Sequence, residues 1–172
     1  MLWSNVERRI NAVARLLEHA EATGVGNVAK SSYYRSAIIL LCTVVEGMVY
    51  ELVKKHTSSP RHVISKAIKY IEKYKISSID RASNFNFENL FICEKLENEI
   101  SIDGKGADFG KFNLHLKNHH IISESEYKTL DWVRNERNKL HLQGLNTPDT
   151  GYTKTKIEKI GKIISFLGEK IH

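Results

Sequence analysis

The sequence predicts an all-α fold, a single-domain helical bundle of about six helices arranged around a long buried central one. Apolar residues recur at intervals of three and four in segment after segment, the helical period. Strand-like alternation is scarce, and the 172 residues contain only two prolines. The run AIILLCTVV, Ala37 to Val45, is apolar on every side, as suits a helix packed all round by neighbours. One domain spanning residues 1–172 accommodates the chain. No linker, repeat or low-complexity tract divides it, and a chain of this length can bury roughly two thirds of its unfolded surface without disulfides.

The first helix is read from a stripe of Val6, Ile10, Val13, Leu17 and Ala20, stopped by Gly24 and Gly26. The second runs from near Ser31 to about His56. A third is expected to open at Ser59-Pro60, serine as N-cap and proline in the first turn, with Val63, Ile64, Ala67, Ile68 and Ile71 inward and Lys66, Lys69 and Lys73 on its outer face. A fourth is expected from Phe87 to about Ile100, with Leu90, Phe91 and Leu96 as core, broken by SIDGKGADFG. Phe109 to Asn118 forms a shorter helix. Ser123 and Glu126 match a capping box, so a late helix starts there and Gly144 stops it. After a turn over Asn146 to Gly151, Thr155 and Glu158 are expected to cap a last helix with Ile157, Ile160, Ile164, Leu167 and Ile171 inward.

Charge narrows the partners. A formal net charge of +6 attracts polyanions, nucleic acid first, with a salt-dependent affinity. Cys42 and Cys93 lie far apart without metal or redox spacing, which suits a reducing compartment. Charged Glu7, Arg8 and Arg9 near the N-terminus leave no room for a signal peptide, and the Ala37–Val45 run is about half the ~20 residues that span a bilayer. A cytoplasmic protein with no membrane partner is expected.

One stretch stands out. In WVRNERNKLHLQG, residues 132–144, two Arg-Asn pairs precede a histidine. At about 100° per residue, with Arg134 at zero, Arg137 falls near −60°, Asn138 near +40° and His141 near −20°, so one face carries all four. Val133 and Leu140 fall near −100° and −120°, which sets this polar group on the flank of the core stripe. These residue types suit phosphodiester cleavage without a metal. RNA supplies its own 2′-hydroxyl nucleophile, a histidine moves protons at neutral pH for about 10²–10⁴ in rate, and arginine stabilises charge growing on phosphorus. Asn138 would position the histidine or the phosphate. Glu46, at the end of the most apolar helix, needs a cation, for which Arg134 or Arg137 is the natural candidate. The plainer reading is a solvated helix face, with Arg134 paired to Glu126, Asp131 or Glu136, and Glu46 to Arg35 or Lys54.

With that glutamate in AIILLCTVVEGMVYEL and the arginines and histidine in RNERNKLHL, the chain resembles the HEPN superfamily (higher eukaryotes and prokaryotes nucleotide-binding domain) from about Ser31 to Leu167. The family signature is an arginine, usually followed by a polar residue, and a histidine after four to six residues. Arg134, Asn135 and His141, with six residues between Arg134 and His141, fit the longest spacing. Arg137-Asn138 repeats the Arg-Asn pair but stands only three residues from His141, leaving open which arginine is the principal one. The resemblance implies a metal-independent endoribonuclease of a toxin–antitoxin, abortive-infection or antiviral defence system. It also implies a homodimer, RNA as partner, and an antitoxin or regulatory protein as a possible second partner. One branch carries a tyrosine two residues after the histidine, where a nucleotidyltransferase modifies it; Gln143 stands there in this chain.

The expected catalytic residues are thus Arg134, Arg137, Asn138 and His141, supported by Glu46 and Asn135. The alternative is a non-catalytic helical RNA-binding or protein-interaction module using the same face. No cofactor and no metal site is expected. His115 and His119 are four apart, a spacing that can seat two imidazoles on one ion, but no third ligand follows at a convincing distance. Lysines 54, 55, 66, 69, 73, 156, 159 and 162 are candidates for a backbone track, and Tyr33, Tyr34, Tyr152 and Trp132 for base stacking.

Overall fold

The computed structural model describes residues 2–57, 59, 61–75, 91–142 and 151–172, with backbone alone at 2, 73–75, 91, 92, 141 and 142. Among them five helices and two strands follow in the order α1 (Leu2–Glu21), α2 (Asn27–Lys55), β1 (Val63–Lys75), β2 (Phe91–Ser101), α3 (Phe109–Asn118), α4 (Glu124–Leu142) and α5 (Lys154–Ile171). The fold is mostly helical.

α2 is the central helix. It is the one helix among the described residues long and apolar enough, by length and composition, to cross a membrane. Eleven of its residues, from Tyr34 to Val53, are instead buried within the protein, and it packs against α1, α3, α4 and α5. Burying an all-round apolar helix inside a bundle removes each of its faces from water at roughly 25 cal/mol per Å². α1 runs back along α2 after a turn in which Gly24 takes φ +86°, a left-handed conformation that glycine adopts without a Cβ clash. Arg9 hydrogen-bonds Thr43, and Glu21 accepts from Tyr34, fastening the two helices at separate points. α4 and α5 lie antiparallel, tied at opposite ends by Lys156–Glu136 at 2.8 Å and Lys170–Glu126 at 3.5 Å.

The helical expectation fails between α2 and α3. The described parts of the segments expected to be the third and fourth helices are the two strands of an antiparallel hairpin, with Lys66 opposite Glu99, Ile68 opposite Glu97 and Tyr70 opposite Lys95, while Leu90 and the side chains of Lys73 and Phe91 lie outside the described residues. Val63, Ile64, Ile68, Tyr70, Ile71 and Tyr74 are β-branched or aromatic and lose rotamer freedom in a helix. Cross-strand pairs of opposite charge then favour the hairpin, Lys66 reaching Glu97 at 3.4 Å. Among the described residues its base joins the core, through Ile64 and Ile100, while Ile68 and Tyr70 stay 53% and 64% exposed. Lys66 and Lys69 therefore lie on opposite faces of a strand and do not form the shared basic face expected of a helix. The all-α, six-helix expectation is corrected to a helical bundle carrying a two-stranded arm.

The remaining elements follow their local signals. α3 has the expected bounds, opened by Asp108, whose side chain accepts from the Lys111 amide. The capping box is formed in both directions. The Ser123 amide donates to Glu126 at 2.6 Å, and the Glu126 amide donates to the Ser123 hydroxyl at 3.2 Å. α5 is capped two residues earlier than expected, by Thr153, whose hydroxyl accepts from the Lys156 amide. The expected stop at Gly144 and most of the turn over 146–151 lie outside the described residues.

Candidate functional site

The core stripe of α4 sets the orientation of everything on its flank. Leu130, Val133 and Leu140 are buried, and two bonds fasten this stripe to α2. The buried Cys42 thiol donates to the Val133 carbonyl at 3.9 Å, and Arg35 donates to the Leu140 carbonyl at 3.3 Å. Burial, with the negative charge of Glu136 second, pushes the Cys42 thiol up to about 12, so it serves as packing and donor, not as a nucleophile.

Arg137 and Arg134 then meet different carboxylates. Arg137 crosses to α2, where its Nη1 donates to Glu46 Oε1 at 3.1 Å with both side chains about 30% exposed. This is the pairing expected of Glu46, and the arginine that makes it is Arg137. The Arg137 Nε–H is buried and has no hydrogen-bond partner among the described residues. Arg134 turns towards α3. Its Nε donates to Asp131 Oδ1 at 2.8 Å, while the other oxygen of Asp131 accepts from Asn135 Nδ2 at 3.2 Å. Its Nη1 lies 3.1 Å from the point a Cβ on Gly110 would occupy, so a larger residue at 110 would crowd the guanidinium. Together Arg134, Asp108, Gly110, Lys111, Tyr127 and Asp131 line a shallow groove of about 200 Å³.

Asn138 is exposed. His141 is the penultimate residue of α4, and its side chain lies outside the described residues, as do Gln143 and Gly144. The helix thus presents Arg137 on the α2 side and Arg134 on the α3 side, each with its own carboxylate, and carries His141 in its last turn.

Two features were missed from sequence. Glu136 is 6% exposed and receives Lys139 at 2.9 Å and Lys156 at 2.8 Å. Burial alone would raise its carboxyl, but the hydrogen bonds from Lys156 and Lys139 outweigh burial and hold it below the ordinary value. The i,i+3 spacing to Lys139 was visible in sequence; the partner on α5 was not. Lys156 is thereby committed to Glu136, and Lys159 stacks on the Trp132 ring at 3.8 Å, so the expected lysine track loses two members to structural roles.

The second feature is a third imidazole. His62, just before β1, sits with its ring centre 5.5 Å from His115 and 6.5 Å from His119, and those two rings are 4.2 Å apart. One ring nitrogen from each of the three lies within 4.8 Å of the others. Burial foremost, then the neighbouring His119 and His62, push the His115 ring down to about 4, so it is neutral at physiological pH.

No family model, curated protein or solved structure matches the chain. The site rests on its own residues and geometry.

Proposed function

We propose that the chain is a cytoplasmic, metal-independent endoribonuclease with a HEPN-type active site, acting as a homodimer in a toxin–antitoxin, abortive-infection or antiviral setting. The observation that carries this reading is the Glu46–Arg137 pair, in which a carboxylate from the buried central helix fixes an arginine separated from the histidine by three residues. An arginine held at one nitrogen keeps the rest of its fork for a phosphate. Net charge of +6 favours RNA as the polyanion.

In the proposed reaction His141 takes the proton of the 2′-hydroxyl, the 2′-oxygen bonds to phosphorus, and the bond from phosphorus to the 5′-oxygen breaks. The leaving 5′-oxygen takes a proton from water and His141 gives its proton back to the solvent, leaving a cyclic phosphate and a 5′-hydroxyl. Arg137 and Arg134 stabilise the charge that accumulates on the phosphoryl oxygens, Asn138 orients substrate or imidazole, and Asn135 with Asp131 fixes Arg134. A regulatory protein covering this face would restrain the activity.

A second reading is favoured by one observation: both guanidiniums already have carboxylate partners, Arg134 with Asp131 and Arg137 with Glu46. Such a face suits a non-catalytic module that binds RNA or protein. Incubating single-stranded RNA with the purified chain in EDTA, alongside His141→Ala, separates the two, with a sizing column reporting the dimer. Cleavage by the wild type alone supports the enzyme; RNA binding with equal or no cleavage by both forms leaves the module.

A further inference from the structure

We propose that His62, His115 and His119 form a zinc site that pins the base of the β-hairpin to the end of α3. The inference is independent of the ribonuclease reading and concerns a different part of the bundle.

The geometry comes from three places in the chain that the fold brings together. His115 and His119 stand one turn apart on the last turn of α3 and its C-cap, the spacing at which two imidazoles on one helix face share an ion. His62 arrives from 53 residues upstream of His115. Its amide donates to the Ser59 carbonyl at 2.9 Å and its own carbonyl accepts from the Ile102 amide at 3.2 Å. That second bond links the residue entering the hairpin to the one leaving it, so closing the hairpin is what carries His62 to α3.

The donor set suits zinc. All three ligands are imidazole nitrogens, a borderline donor, and no carboxylate is needed for the three to converge. His115 is 4% exposed, and its ring hydrogen-bonds the backbone of Ile64. A ring nitrogen held by a backbone carbonyl fixes the tautomer and turns the other nitrogen to the metal, the usual support of a zinc-bound histidine. In a tetrahedral site with Zn–N of about 2.0–2.1 Å the nitrogens stand about 3.3 Å apart. From a spacing within 4.8 Å, closing to that distance takes side-chain rotation alone: His119 is exposed and free to swing, and His62 is only half-buried. Three protein ligands leave the fourth position to water.

The test uses the full chain, stripped with EDTA, exchanged into buffer and titrated with ZnCl2 by calorimetry. The double variant His62→Gln/His119→Gln is measured beside it. Both positions lie outside the buried core, and circular dichroism confirms that the variant is folded. The site predicts one zinc per wild-type chain, affinity at least about a hundredfold lower in the variant, and a melting temperature raised by about 5 °C at saturating zinc in the wild type alone. Absence of stoichiometric binding by the wild type, or equal affinity in the folded variant, overturns the proposal. RNA cleavage is not the readout, so neither outcome bears on the ribonuclease.

Discussion

Replacing Glu46 by glutamine, alone and with Arg137→Ala, measures how firmly the central helix holds the arginine of the late one. The two groups are 3.1 Å apart and each about 30% exposed. A Coulomb attraction of several kcal/mol at an effective dielectric near 20 is largely cancelled by desolvation and screening. Hydrogen bonds to charged groups contribute about 1.5–3 kcal/mol when buried and exposed pairs under ~1, so a half-exposed, singly hydrogen-bonded pair should couple by about 1 kcal/mol. Each single variant should lose about that much, and the double variant no more than either, because the second removal breaks nothing further. Urea unfolding reads this as a midpoint shift of about 0.5 M for an m-value near 2 kcal/mol/M. If the two single effects simply add, the pair does not position Arg137, and the second-helix support of the site is refuted.

Three further outcomes are expected. Ser123→Ala should cost about 1 kcal/mol by removing one half of the capping box, and an unchanged urea midpoint would contradict the cap. Glu136 has a lowered pKa in the fold, so its contribution is present above the ordinary value of 4.5 and is lost as pH falls through the folded value. The stability gap between wild type and Glu136→Gln should thus be widest near pH 7 and shrink towards pH 3; a pH-independent gap would refute the assignment. In native protein one thiol, exposed Cys93, should react with a disulfide reagent promptly, and buried Cys42 only on unfolding. Equal rates would contradict the burial of Cys42.

Much of the fold was legible because its signals are local. Most of the α1 stripe (Val6, Val13, Leu17 and Ala20, although Ile10 is 37% exposed), the bounds of α3 and the Ser123–Glu126 box are written within a few residues of where they act. The hairpin was not legible for a physical reason. Val63, Ile64, Ala67, Ile68 and Ile71 fit a helical face, and what tips them into a strand is pairing with residues about thirty positions later, such as Glu97 and Glu99. The same separation hid the histidine cluster, since His62 joins His115 only once the hairpin closes. Glu46 announced its need for a cation by its apolar surroundings, but the choice of Arg137 over Arg134 depends on the crossing of α2 and α4. Glu136 escaped because its second lysine comes from another helix.

Whether the late-helix arginines and His141 act together on an RNA linkage is read from the chemistry of the cut ends. RNA incubated with the purified chain in EDTA should yield fragments ending in 2′,3′-cyclic phosphate and beginning with 5′-hydroxyl, with Arg137→Ala slowed by a factor of about a hundred. Fragments carrying 5′-phosphate, or a rate untouched by loss of Arg137, would contradict that joint action.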